Sequence, residues 1–496
     1  MRVTPALLLA LLMVSCVAAP TAATPAPSVV AAGGTLRVAI PAEVTSLDPW
    51  DADAASSVAT RQMFETLVSI DPASGTFGPG LASSWQMAND GQGWSFAIRG
   101  GIRFTDGTPL DAATVVASFQ RGVGTRAYRA MFDEPSLIAR VVALDESTVR
   151  FELRTPFGPF LAHLAAPAAA IAHGDSGTGP FVAGPTAIAP DGSLSLRRNE
   201  AYWQRTPTGR TLPYLDAVVL RPVRDAAARL AEVRAGRADL ALDLPVAQAT
   251  TARSDPNLVV APLGAAVASL GIDTAASPLD RIDARRAVAM AIDRSALSAM
   301  YFGFSRSAAQ LLPAGTLGYD DSVVEFAPFD VTAAKRLLSD AHIVVPFSVD
   351  LAYPAFATPA YPDPQRVAQS LAADLGKIGV IARLRAADPA TLRSSKAALT
   401  LETTAVGLDP DDIFWPLYGA ESAQDPSLVS GLLRRARAEA DPSKRAELYK
   451  QVSKLTRTEV SRIPLLYVDR ASAVSARISG YTAQPNASFI TLWFKP

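Results

Sequence analysis

The sequence predicts an α/β protein of more than one structural unit, on three observations. Stretches with strand-like alternation and stretches with helical spacing follow one another along the chain, as they do in α/β architectures. The chain has 496 residues, which at about 150 residues per domain gives roughly three structural units or two large lobes. Apolar residues make up 49 % of it, enough to fill sizeable cores without disulfides or metals.

The elements read in order as follows. TLRVAI, 35 to 40, has the apolar density of a strand, and WSFAIRGGIRF, 94 to 104, alternates as a half-buried strand does. Asp106-Gly107 supplies a tight turn. Asp111 stands where a helix N-cap belongs, with Val115 and Phe119 four apart on one face of the helix that follows. YLDAVVLRPV, 214 to 223, reads as a strand, and Ala228, Leu230, Ala231 and Val233 mark a helix that stops at Gly236. Val288, Ala291, Ile292 and Leu297 predict one long helix. QRVAQSLAADLGKIGVIARLRA reads as an amphipathic helix, a glycine turn and a strand. DPSKRAELYKQVSKLTRTEV is a helix begun by Asp441 as N-cap and Pro442 at N1.

The N-terminus carries a different signal. Met1-Arg2 and the apolar run from Leu7 to Val14 have the length of a secretory signal, too short to span a bilayer. The one cysteine, Cys16, follows directly in MVSC and resembles the lipobox of bacterial lipoproteins, with Met13 in place of the usual Leu. The resemblance implies a signal peptide over 1–15, a lipidated Cys16, and a flexible Pro/Ala/Thr-rich tether over 16–33. The expected location is extracytoplasmic, anchored to the cell membrane by lipid alone. A net charge of -1 gives no reason to expect nucleic-acid binding. Seven of the 46 basic residues are lysine, which leaves 39 arginines, a bias of composition rather than a binding patch.

Eight fragments in sequence carry a family likeness. TSLDPWDADAASSVATRQMFETLVSID and GLASSWQMANDGQGWSFAIRGGIRFTDGTPLDAATVVASFQR come first. GTGPFVAG, LRRNEAYW, YLDAVVLRPVRDAAARLAEVRAGRADLA, RRAVAMAIDRSAL, FDVTAAKRLLSDAHI and RAELYKQVSKLTRTEVSRIPLLYVDRA follow. In this order they resemble family 5 of the bacterial extracellular solute-binding proteins, the substrate-binding lipoproteins of ABC importers of peptides and nickel. The likeness implies a two-lobed periplasmic-binding-protein-like fold of class II with an extra subdomain, its lobes joined by two crossing segments. Lobe I would hold 34–264 plus 468–496, with 51–177 as the inserted subdomain, and lobe II would hold 265–467. The chain would bind a peptide or another small solute between the lobes and deliver it to the permease's transmembrane subunits, as a monomer without cofactor. The second expectation is a non-transporting envelope lipoprotein that keeps the fold for a regulatory or scaffolding role.

Peptide-binding relatives place a Trp and an Asp just before a DPD-like stretch, the Asp neutralising the ligand's α-ammonium. Aligning LETTAVGLDPDDIFWPLYG on Asp409-Pro410-Asp411 puts Thr403 at the Trp position and Val406 at the Asp position. Both family residues are missing, and Glu402 and Asp409 stand nearest to compensate. Trp50 and Trp415 are aromatic candidates for the cleft, and Ser269 could offer backbone groups to ligand; each could equally be core. The acidic sets Asp51/Asp53 and Asp409/Asp411/Asp412 lack the rest of a calcium loop.

Catalysis is not expected. HGDSGTGP, His173 to Pro180, resembles the surroundings of a serine-protease nucleophile, but Ser176 needs a base oriented by a carboxylate. That family's base lies well over a hundred residues upstream, whereas the histidines here are His163, His173 and His342. Three histidines and one cysteine make a zinc site improbable, and no phosphate-binding or dinucleotide-binding glycine motif is present.

Overall fold

Two strands much longer than the rest organise the molecule. Leu258–Ile272 spans 15 residues and Arg462–Ser475 spans 14. They run antiparallel along nearly their whole length, Leu258 opposite Ser475 and Gly271 opposite Arg462, with register shifts at Gly264/Ala266 and Ala268/Ser269. In this computed structural model, which describes residues 32–71, 76–132, 137–419, 428–483 and 488–495, they are the centre of an eleven-stranded sheet. Cys16, the signal and nearly all of the tether lie outside the described residues.

Each end of the long pair has different neighbours, and that makes two lobes. Towards one end Leu240–Leu244 lies against Ala471 to Val474, and beyond it come Thr35–Ile40, Ala217–Pro222, Leu194–Arg198 and Phe181–Ile188. Towards the other end Leu399–Ala405 pairs with residues 266 to 272, followed by Phe347–Pro354 and Val380–Ala387. In the parallel pairing of Thr35–Ile40 with Ala217–Pro222, Val38, Ala39 and Ile40 are wholly buried and apolar, as a strand covered on both faces requires. The two-lobed fold with crossing strands is thus as expected. A separate four-stranded sheet, Ala82–Met87, Gly93–Ile98, Thr148–Leu153 and Ile138–Ala143, builds its own core from Phe96, Phe119, Phe132, Phe151 and Phe160.

Local chemistry explains where elements start and stop. Asp111 caps the helix Ala112–Gly122 in a capping box with Thr114, and Asp441 with Pro442 opens Pro442–Glu459. Two expectations are corrected. The strand expected over 94 to 104 ends at Ile98, because Gly100-Gly101 turns the chain and Gly101 takes φ +81°. The single long helix expected through Leu297 is two, Ile282–Ala291 and Arg294–Ala299. Ile292 leaves the helical region, and Asp293 accepts the Ala296 N–H at 2.9 Å to start again.

Candidate functional site

A cavity of about 330 Å³ lies where the long strands change neighbours. The helix Ala54–Met63 forms one wall through Ala54, Ala55, Val58 and Arg61, a spacing that keeps all four on one face. Gly264 and Arg470 come from the two crossing strands, and Val406 arrives from beyond the strand Leu399–Ala405 of the other lobe. Asp243 completes the wall from a bulged strand, where it holds the left-handed conformation at φ +59°. Its carbonyl accepts from the buried Arg229 guanidinium at 2.8 Å, and its carboxylate is ion-paired with Arg470. Burial pushes the Arg61 guanidinium down to about 10, so it remains a cation at neutral pH.

Two larger cavities among the described residues do not join the lobes. The one of about 770 Å³ is lined only by residues between Arg286 and Val460, all from the part of the chain between the crossing strands. The one of about 460 Å³ adjoins the interlobe cavity through Arg61 and surrounds Glu65. There the carboxylate accepts from Thr178, Tyr202 and Trp203 at 2.7 to 2.9 Å, a fully committed buried acid.

Of the residues singled out from sequence, only Val406 lines the interlobe cavity. Trp50 is buried in the core of the first lobe under Arg121, whose guanidinium lies 4.9 Å from its ring. Ser269 is wholly buried in a crossing strand and its carbonyl accepts from the Tyr361 hydroxyl. Glu402 is held by Arg462 at 2.9 Å, and Thr403 is exposed with its hydroxyl 3.1 Å from that of Thr358. Asp409 is buried against Arg445, and Trp415 is stacked under Arg437 at 3.8 Å. Arg61, Asp243 and Arg470 were not picked out. The helical spacing of residues 54, 58 and 61 is the one local signal that could have put Arg61 on a shared face.

The model describing bacterial extracellular solute-binding proteins, family 5 (middle), matches residues 76–425, well over half of the chain. The chain belongs to this family. Heme-binding protein A of Haemophilus influenzae is 28 % identical over 479 residues, covering 86 % of each chain. The dipeptide-binding protein of Escherichia coli K12 is 28 % identical over 463 residues, covering 82 % of this chain and 84 % of that one. Among solved structures, HbpA2 of Haemophilus parasuis superimposes with a TM-score of 0.85 at 24 % identity, over 93 % of this chain and all of that one. The DppA protein of Helicobacter pylori, in complex with the peptide STSA, gives 0.72 at 24 % identity, over 94 % and 99 %.

The enzyme-like string forms a tight turn in this family 5 protein. The His173 and Ser176 backbones bond each other across a tight turn at 2.9 Å, while the His173 Nδ1 lies 2.7 Å from Asp106. His163, buried in the four-stranded subdomain, faces Asp412 at 3.8 Å. Among the described residues no group of three His, Cys, Asp or Glu side chains is placed to hold a metal ion, and no helix is long and apolar enough to cross a membrane.

Proposed function

We propose that this protein is the substrate-binding component of an ABC importer, capturing a peptide or a related small solute between its lobes and handing it to the permease. The observation that carries this reading is the composition of the 330 Å³ cavity. Val406 comes from one lobe, the helix Ala54–Met63 from the other, and Gly264 and Arg470 from the strands that join them. A solute there touches every part that moves when lobes hinge. It favours the closed form by its differential affinity for that form. We place the lobe boundaries within the crossing strands, after residues 264 and 467, with 51–177 as the inserted subdomain. We place Cys16 as the lipidated residue that keeps the receptor, a monomer, at the outer face of the membrane.

The presence of Val406 where peptide-binding relatives carry an acid supports a second reading, a non-transporting envelope lipoprotein with the same fold. Mass spectrometry of small molecules released on denaturing protein purified gently from its own host separates the two. A peptide or other defined solute at near-stoichiometric yield is the expected result. An empty protein whose thermal midpoint moves with no member of a broad solute panel would leave only the second reading.

A further inference from the structure

If the interlobe cavity is the solute site, as proposed, its walls carry a sign. The only carboxylate among its described lining residues is Asp243, and Arg470 already neutralises it. The wall contributed by the other lobe is the apolar Val406. The carboxylates flanking Val406 in sequence are each committed. Glu402 holds Arg462 at 2.9 Å, Asp409 takes both Nη atoms of Arg445 at 2.8 and 2.9 Å, and Asp411 holds Arg437 at 2.9 Å. Asp412 accepts the Leu408 and Asp409 backbone N–H groups at 2.9 and 3.1 Å. None is left to meet a ligand ammonium, and burying an ammonium without a partner is strongly unfavourable.

The same cavity offers positive charge from two side chains. Arg61 lines it from the helix Ala54–Met63, whose N-terminus the Asp53 carboxylate already caps, and Arg470 lines it from a crossing strand. Arg470 sits on a crossing strand with its side chain 42 % exposed, accessible enough to share itself between Asp243 and a second anion. A guanidinium fork is suited to a carboxylate or phosphate in this role.

We propose that the cleft selects small solutes that present an anionic group and no free ammonium, for peptide-like ligands an N-blocked peptide acid, with Arg61 and Arg470 holding the anion. Three probes with one body separate the charges: N-acetyl-trialanine, which has only a carboxylate; trialanine amide, which has only an ammonium; and trialanine, which has both. Calorimetry on the protein, stripped of copurified solute by mild unfolding and refolding, is expected to show N-acetyl-trialanine binding at least about tenfold more tightly than the amide. Added salt should narrow that gap. In Arg470→Gln the preference should collapse or reverse, because Asp243 is then free to take an ammonium, and Arg61→Gln should weaken the acid probe alone. Val406→Asp, folded by circular dichroism, should gain affinity for the amide. Equal or tighter binding of the amide to the wild type would overturn the inference and leave the receptor reading standing. So would a copurified solute with a free amine and no anion. If none of the probes binds and nothing copurifies, the receptor reading fails, and the charge selection fails with it.

Discussion

The stretch from Asp409 to Asp412 and the wall of the interlobe cavity use the same chemistry, arginine against aspartate, to opposite ends. Asp409 and Arg445 are each 5 % exposed and meet through two parallel hydrogen bonds, with the Tyr449 hydroxyl at 3.2 Å from the same guanidinium. Asp243 and Arg470 are 31 % and 42 % exposed. A dry pair with both carboxylate oxygens hydrogen-bonded fixes packing, because removing one partner strands the other charge. A half-wet pair at a cavity holds little folding energy, because water competes for both ends. The acid-rich stretch that stands out in the sequence therefore holds the structure, and the unremarkable pair is the one placed to meet a solute.

The comparison is broken most severely at Arg445. Replacing it with Met leaves Asp409 buried and unpaired, and stability should fall by about 3–5 kcal/mol, read as a lower urea midpoint at unchanged slope. Next comes Gly158, where the four-stranded subdomain meets the helices that carry Arg437 and Arg445. Its N–H donates to the Arg437 carbonyl at 2.7 Å, and an added Cβ would fall 2.3 Å from the Glu439 carbonyl oxygen and 2.4 Å from Arg445 Nε. Gly158→Ala should cost about 1–3 kcal/mol by forcing the two surfaces apart. A wild-type melting curve for that variant would show that the contact yields without strain.

Asp411 sharpens the comparison through pH. Burial pushes its carboxyl up to about 7, although Arg437, 2.9 Å away, pulls it down and is itself sandwiched between Trp415 and Phe157. The unfolded chain releases that proton near 4. Between about 4 and 7 the native state binds the extra proton, so this group's contribution to stability falls as pH rises through that window. Asp411→Asn cannot titrate, so its stability relative to wild type should increase from pH 5 to pH 8. His163, whose ring burial pushes it down beside Asp412, is common to both proteins and drops out of the difference to first order. A constant difference between the two melting curves would mean that Asp411 is ionised across the range.

Much of the fold was legible because its punctuation is local. Asp111, Asp441 and Pro442 sit at helix starts for reasons that need no neighbour beyond the next turn. The break at Asp293 was missed because Ile292 continues the apolar spacing while its backbone has already left the helix. The site was legible only at Val406, which the segment ending in Asp409-Pro410-Asp411 anchors. Arg61, Asp243 and Arg470 lie about 180 and 230 residues apart along the chain and are brought together by strand pairing. Residue chemistry alone pointed instead at Trp50, Asp409 and Trp415, which the fold spends on packing.

The smallest expected effect on stability is the most informative for function. Arg470→Gln removes a guanidinium from an aspartate, as the change at Arg445 does, yet its partner Asp243 remains partly in water and can be solvated when released. Its own backbone is held independently, since the Asp243 carbonyl keeps its bond from Arg229 and the bulged strand keeps its pairing to Ala471 and Ala473. The loss should therefore stay within about 1 kcal/mol, several-fold below that of Arg445→Met measured in the same urea series. If the two variants lost stability equally, the pair at the cavity would be a structural brace like the buried one. Arg470 would then not be available to a ligand without unfolding its surroundings. A small loss together with an altered charge preference is the combination that only a ligand-facing arginine produces.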